Sequence, residues 1–204
     1  MARMSRMDSI DARRYDRGMW LLEHASLAQL RQRLLAQAHG TVLEIGAGTG
    51  ANLALYAADV AVTALELRPE RLAAAAEKAR RAGRAADITV IAGDAHWLPL
   101  PAGAFDTVVA TLVFCSLADP MAVLAEVRRV LRPGGRLLLL EHVRGRTFLT
   151  RRLTDWLHPL WFALQGECHL NRETAATVAA AGFHLDHTSD HARGLVQTII
   201  ATAP

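Results

Sequence analysis

The sequence predicts an open α/β fold, a parallel sheet covered by helices on both faces. Three observations carry this. Short apolar segments alternate with helical segments of roughly 10–15 residues, the rhythm of parallel strands joined by right-handed crossovers. The strand segments are apolar throughout, as expected when neither sheet face meets water. A glycine-rich turn, Gly46-Ala47-Gly48-Thr49-Gly50, follows the first strand directly.

Each element follows from its residues. Residues 1–18 are polar, basic and weakly periodic, and read as a flexible start leading into a short helix. Over 19–38, Trp20, Leu21, Leu27, Leu30, Leu34 and Leu35 recur at helical spacing, which predicts an amphipathic helix with Gly40 as its cap. Thr41 to Ile45 reads as a short buried strand, and after the glycine turn Ala51 to Tyr56 opens a helix. Ala61 to Glu66 is the second strand. Pro69 to Arg81 is a helix with proline in its first turn, where a missing N–H costs nothing. Ile88 to Ala92 and Phe105 to Ala110 are the third and fourth strands, and Pro120 to Leu131 is the next helix. Pro133-Gly134-Gly135 predicts a tight turn into a fifth strand, Arg136 to Val143. Residues 144–165 mix arginines with Trp156, Trp161, Phe162 and leucines, and Asn171 to Ala181 reads as a helix. Phe183 to Ser189 and Leu195 to Thr202 read as two closing strands, antiparallel at the sheet edge. The result is a Rossmann-like, seven-stranded, mostly parallel sheet with an antiparallel last strand and an N-terminal helical cap. It is expected to be one domain over 1–204: a cap at 1–40, a core at 41–143, and a lid with edge strands at 144–204.

Composition narrows the function. With 51% hydrophobic and 21% charged residues, the chain has the profile of a packed globular protein, which excludes disordered, collagen-like and coiled-coil classes. A net charge of +3, with Lys78 the only lysine and no Lys/Arg-rich run, points away from nucleic acid. No uncharged apolar run reaches the roughly 18 residues of a membrane span, so no transmembrane segment is expected. The two cysteines, Cys115 and Cys168, lack C-x-x-C spacing, so neither a metal site nor a disulfide framework is expected, and the setting is read as cytoplasmic.

The chemistry begins at the glycine turn. Glycines there let the backbone turn tightly and admit a ligand to contact distance, at the switch point of the sheet. Read as G-x-G-x-x-A through Gly46, Gly48 and Ala51, the turn also satisfies the dinucleotide fingerprint. Glu66, 20 residues after Gly46, suits a pair of ribose hydroxyls in either NAD or S-adenosylmethionine. Glu44 lies inside the first strand, where it disfavours a docked pyrophosphate and suits a ligand with a sulfonium and an ammonium. Asp94, in Gly93-Asp94-Ala95 after the third strand, can accept a hydrogen bond from an adenine amino group.

Taken in order and spacing, VLEIGAGTG (42–50), TALELRP (63–69), VIAGDAHWLP (90–99), FDTVVATLVFCSL (105–117) and VLRPGGRLLLLEHV (130–143) resemble the class I S-adenosylmethionine-dependent methyltransferases. The resemblance implies a cofactor site made of Glu44, Gly46, Ala47, Gly48, Gly50, Asn52, Glu66, Leu67, Asp94, Ala95 and Thr111. Within that family, TLVFCS (111–116), EHVR (141–144), the Trp-rich stretch, CHLNRET (168–174) and AGF (181–183) resemble the small thiol S-methyltransferase-like subgroup. That implies a small or lipid-like methyl acceptor, with a thiol favoured and a lipid amine or quinone as the alternative. The transfer is an SN2 step dominated by positioning and desolvation. A thiol needs little base help near neutral pH. An oxygen or carbon acceptor would need a base, and His142 and His169 are the candidates, with Glu141 behind them. Cys115 reads as a small buried residue rather than a nucleophile.

The segment 148–164 allows two readings, a helix packed on the core or a lid over an apolar acceptor pocket that touches a membrane surface through Arg144, Arg146, Arg151 and Arg152. Tyr15-Asp16-Arg17 is placed to fold onto the cofactor or to stay a solvated tail. From other classes, a nicotinamide-dependent oxidoreductase and a non-catalytic cofactor-binding protein stay open. The first would need a Tyr-x-x-x-Lys or similar, which Lys78 does not supply. Sequence does not assign the oligomeric state.

Overall fold

The computed structural model describes residues 27–84, 87–145, 147–165, 168–169 and 171–204 and, within these, not the side chains of Leu153, Leu157 and residues 160–165. Trp20, Leu21 and Tyr15-Asp16-Arg17 of the expected cap lie outside the described residues.

Seven strands form one sheet: β1 (Thr41–Ile45), β2 (Ala61–Glu66), β3 (Ile88–Ala92), β4 (Phe105–Thr111), β5 (Leu131–His142), β6 (His184–His191) and β7 (Val196–Thr202). Their order is β3-β2-β1-β4-β5-β7-β6. The first five are mutually parallel, and β7 runs antiparallel to both of its neighbours. The chain moves outward from β1 through β2 to β3, then returns to β4 on the other side of β1. The switch point therefore lies between the C-terminal ends of β1 and β4, where open α/β sheets bind ligands.

The helices are α1 (Ala28–Leu35), α2 (Pro69–Arg81), α3 (Pro120–Val130), α4 (Phe148–Gln165) and α5 (Thr174–Ala180). Strand residues alternate between two cores. Leu43, Ile45, Val108, Ala110, Leu137 and Leu139 pack with Val123, Leu124 and Val127 of α3 and Val178 of α5. Val42, Ala64, Val109, Leu138 and Leu140 pack on the opposite face with Leu34 and Leu35 of α1 and Ala75 and Ala79 of α2. Each fully buried leucine contributes about 1.5–3 kcal/mol, so both layers hold the strand ends in place. Helix α3 starts sharply because Asp119 Oδ1 accepts from the Met121 and Ala122 amides, both at 3.0 Å, with Pro120 at the first helical position.

Three local expectations are corrected. Helix α1 ends at Leu35, and Gly40, at φ +65°, turns into β1 instead of capping it. A Cβ on Gly40 would collide with the Asp106 side chain. Residues 51–56 form no helix. Leu53 N–H bonds Gly50 O at 3.3 Å and Leu55 N–H bonds Asn52 O at 2.8 Å, the three-residue spacing of successive turns. The Asn52 side chain turns inward to bond the side chains of Arg31, Glu44 and Thr111. Finally, β5 begins at Leu131, and its register with β4 slips between Phe105 and Thr107. Pro133-Gly134-Gly135 is thus a bulge within the strand, with Gly134 at φ +73°. Among the described residues no helix is long and apolar enough to cross a membrane.

Candidate active site

The glycine turn leaves β1 at the switch point. Gly46, Gly48 and Gly50 all have positive φ, at +66°, +58° and +81°. Two of them serve packing: a Cβ on Gly46 would lie 2.6 Å from Val113 Cγ2, and one on Gly50 would lie 3.0 Å from Ala75 Cα. Gly48 differs, because the nearest atom to its Cβ would be a backbone oxygen 4.0 Å away. The turn is therefore open to a ligand at Gly48. Ala47 is buried, with its N–H on Leu65 O at 3.0 Å, so its part is to anchor the turn to β2.

Behind the turn lies a buried polar cluster. Glu44, Asn52 and Thr111 come together with Arg31, which projects from α1. Arg31 Nη1 donates to Asn52 Oδ1 at 2.8 Å and to Thr111 Oγ1 at 2.7 Å. Asn52 Nδ2 donates to Glu44 Oε1 at 2.9 Å and approaches Thr111 Oγ1 at 3.1 Å. Glu44 Oε2 is buried and has no hydrogen-bond partner among the described residues. Burial pushes the Glu44 carboxyl up to about 7, against the opposing influence of the nearby Tyr56 hydroxyl, Asn52 and Arg31. The Tyr56 hydroxyl, though close, forms no well-aligned bond among the described residues. Arg31 was not among the expected residues. Its signal is an arginine on the leucine stripe, four residues after Leu27 and three and four before Leu34 and Leu35.

Glu66 ends β2 and is buried, its carboxylate held at both oxygens. Gly48 N–H donates to Oε2 at 2.8 Å and Arg68 N–H to Oε1 at 2.9 Å. A carboxylate offers about four acceptor positions, so lone pairs remain for two further donors. Beyond Glu66, Leu67 is 63% exposed, and Trp97 in the neighbouring loop is 81% exposed. Asp94 sits at the mouth of that loop. Its Oδ1 accepts from His96 N–H at 2.9 Å and lies 2.7 Å from His96 Nδ1, and those contacts hold its carboxyl below the usual range. Ala95 is buried in the core. The loop is pinned to α3, since Glu126 accepts from Leu98 N–H at 2.9 Å and Arg129 donates to Leu100 O at 2.8 Å.

A second grouping lies beyond β4. Leu112 takes φ +58°, a conformation that a leucine adopts only under constraint, and it redirects the chain. The next three amides, of Val113, Phe114 and Cys115, then all donate to the buried Glu141 carboxylate at 3.0, 3.0 and 3.1 Å. Burial pushes Glu141 up to about 7 against those three bonds. On the carbonyl side, Arg172 bonds Phe114 O at 3.1 Å and also Leu117 O, while His169 N–H bonds Cys115 O at 2.8 Å. Glu141 thus fixes a loop. His142 Nδ1 lies 3.6 Å from Cys168 Sγ, and His169 Nδ1 lies 2.9 Å from His158 Nε2. Burial and the Arg172 and His158 charges hold His169 below the ordinary imidazole range.

The family described as Methyltransferase domain matches residues 43–139, from β1 into β5 and across the glycine turn, Glu66 and Asp94. This core is similar to methyltransferase domains, whose cofactor is S-adenosylmethionine. Among relatives, thiol S-methyltransferase TMT1B of Rattus norvegicus is 36% identical over 149 residues, 70% of this chain and 59% of that protein. Phosphatidylethanolamine N-methyltransferase of Cereibacter sphaeroides is 40% identical over 103 residues, 50% of this chain and 51% of that protein. The chain therefore spans between half and three-fifths of the length of these relatives. A solved geranyl diphosphate methyltransferase in complex with SAM shares the fold at TM-score 0.76 and 15% identity, covering 89% of this chain and 87% of that one.

Proposed function

We propose that this methyltransferase transfers the methyl group of S-adenosylmethionine to a thiol on a small or lipid-like acceptor. The observation that carries the cofactor half is the Glu44 carboxylate. It is buried at the end of β1 with Oε2 lacking a partner among the described residues, next to a turn that is open at Gly48. An ammonium group supplies the missing donor and the compensating charge, which a buried carboxylate requires. In this reading Glu66 receives the ribose hydroxyls on its remaining lone pairs, and Asp94 the adenine amino group. Leu67 supplies apolar contact to the base. Asn52 and Thr111, held by Arg31, orient Glu44.

The bound cofactor supplies an electrophilic methyl on a sulfonium that departs as a neutral thioether. The chain's task is to position the acceptor and exclude water. A thiol ionises near pH 8.5, so no strong base is required. The likeness to the thiol enzyme, at 36% identity over 149 residues, supports this acceptor. Cys115 and Cys168, present as thiols and not as a disulfide, accord with a reducing, cytoplasmic setting. Helix α4, with Phe148, Leu149 and Trp156 exposed at 72%, 78% and 76%, offers an apolar surface to a lipid-like acceptor.

A lipid amine is the second reading, favoured by the likeness to the phosphatidylethanolamine enzyme. Such an acceptor must lose a proton, and His142 and His169 are the residues to take it. The test is methyl transfer from isotopically labelled S-adenosylmethionine to an alkyl thiol, to phosphatidylethanolamine vesicles and to a demethylated quinone. The expected product is a thioether. Labelled lipid or quinone without thioether would overturn the thiol assignment and leave the cofactor assignment standing.

A further inference from the structure

We propose that Cys115, His142 and Cys168 form a binding site for a thiophilic divalent cation of the zinc class, with its fourth coordination position open. Their three ligand atoms, two Sγ and one imidazole nitrogen, lie within 4.8 Å of one another. Zn–S bonds of about 2.3 Å and Zn–N bonds of about 2.0–2.1 Å place tetrahedral ligand atoms roughly 3.5–3.8 Å apart. The Cys168 Sγ to His142 Nδ1 separation of 3.6 Å already meets that spacing. The remaining edges need to close by about an ångström or less, within the reach of side-chain torsions.

The backbone at Cys115 and at His142 is fixed. Cys115 N–H is held by Glu141 and Cys115 O by His169 N–H, so the loop presenting the first sulfur is tied at both sides of the residue. His142 ends β5 in register with Val196 of β7. Cys168 stands next to the residue that bonds Cys115. The ligands thus converge from three segments that only the tertiary fold brings together.

Charge favours the same occupant. Each cysteine releases one proton to solvent on binding, and two thiolates with a neutral imidazole balance a divalent cation. The result is a neutral centre that tolerates burial. Cys115 is 1% exposed, so its sulfur would hold a cation away from bulk water. Two sulfurs and one nitrogen select zinc, cobalt or cadmium over magnesium or calcium. Three protein ligands leave one position for water or an incoming thiolate, the arrangement of reactive rather than closed structural sites. The proposal concerns the cation alone; with a cation bound, His142 is a ligand and the proton-accepting role in the lipid-amine reading falls to His169.

The test is titration of the reduced, metal-free full chain with Co2+ and then Zn2+, read by absorption. The expected result is one equivalent of Co2+ with a thiolate-to-cobalt charge-transfer band and intense tetrahedral d–d bands, displaced by Zn2+. Cys168→Ser and His142→Ala should each weaken Co2+ binding by at least about tenfold, the lower end of what supporting residues alone produce. Cys115 is so deeply buried that replacing it perturbs folding as well as ligation. The test therefore rests on the other two variants, with S-adenosylmethionine binding by calorimetry as their folding control. Failure to bind, octahedral weak bands, or affinity unchanged in both variants overturns the site. So does a Cys115–Cys168 disulfide that persists in the purified protein under the reducing conditions of the cytosol.

Discussion

Arg31 Nη1 lies 2.8 Å from Asn52 Oδ1, a buried bond that ties α1 to the glycine turn across the face of the sheet. The same nitrogen reaches Thr111 at the end of β4. One guanidinium therefore sets the relative positions of α1, the turn after β1 and the end of β4, the three segments that surround Glu44.

Arg31→Ala removes both bonds and leaves Asn52 Oδ1 buried without its donor. Hydrogen bonds to charged groups are worth about 1.5–3 kcal/mol, and at about 2–4 °C per kcal/mol for a chain of this size the melting temperature should fall by roughly 3–12 °C. Affinity for S-adenosylmethionine should fall with it, because Asn52 no longer holds Glu44. Calorimetry of the variant that found unchanged melting and unchanged affinity would remove Arg31 from the site.

If Glu44 receives the cofactor as proposed, cofactor binding should depend on pH. The folded Glu44 carboxyl, at about 7, lies above its value of about 4.5 in the unfolded chain, so between these limits the folded protein binds more protons. Stability of the cofactor-free protein from this group is greatest below about pH 4.5 and is lost as pH rises through 7. Binding runs the other way, since an ammonium prefers the ionised carboxylate. Affinity for S-adenosylmethionine should therefore rise between pH 6 and 8, and Glu44→Gln should both weaken it and flatten the profile. An identical profile in the variant would assign the titration to another group.

Glu66→Gln keeps the shape but gives the site one amide in place of a carboxylate oxygen, so an N–H faces either the Gly48 or the Arg68 amide. The loss of charged acceptors, about 1.5–3 kcal/mol, corresponds to roughly 10–150-fold in cofactor affinity. Asp94→Ala should also weaken binding, yet leave melting almost unchanged because its side chain is half exposed. If Asp94→Ala binds the cofactor as well as the parent, the assignment of adenine to that loop fails.

Glu141→Ala leaves the amides of Val113, Phe114 and Cys115 without their acceptor. At about 1–3 kcal/mol for each unsatisfied buried group, the cost should be at least about 3 kcal/mol. Chemical denaturation is the direct measure. A loss below about 1 kcal/mol would mean that water replaces the carboxylate and that the loop holds itself.

The sheet was legible because a parallel α/β fold writes itself into the sequence. Apolar strands such as Val108–Ala110 and Leu137–Leu140 stand out when both faces are covered, and Pro69 and Pro120 mark helix starts. The placing of Glu44 late in β1, Glu66 at the end of β2 and Asp94 just after β3 was legible, because the strand pattern puts all three toward one edge of the sheet. The turns that replace the expected helix after Gly50 were not legible, because the local pattern does not carry the inward contacts of Asn52 with Glu44, Thr111 and Arg31 from distant segments. Arg31 looks like a solvated residue until its place among Leu27, Leu34 and Leu35 is noticed. The meeting of Cys115, His142 and Cys168 has no sequence signature at all, since it depends on how the loop after β4, the end of β5 and the segment after α4 are pinned together.

The placing of β7 between β5 and β6 has a further consequence for how the molecule is made. Synthesis delivers β6 before the strand that joins it to the sheet, so two ladders of backbone groups stand open until residues 196–202 arrive to fill the gap. During that interval the apolar flank of β5 is available to any other extended chain. The finished outer strand is safer: His184, Asp186, His187, Ser189 and Asp190 crowd β6 with polar and ionisable side chains, which discourage a foreign strand from adding to that edge.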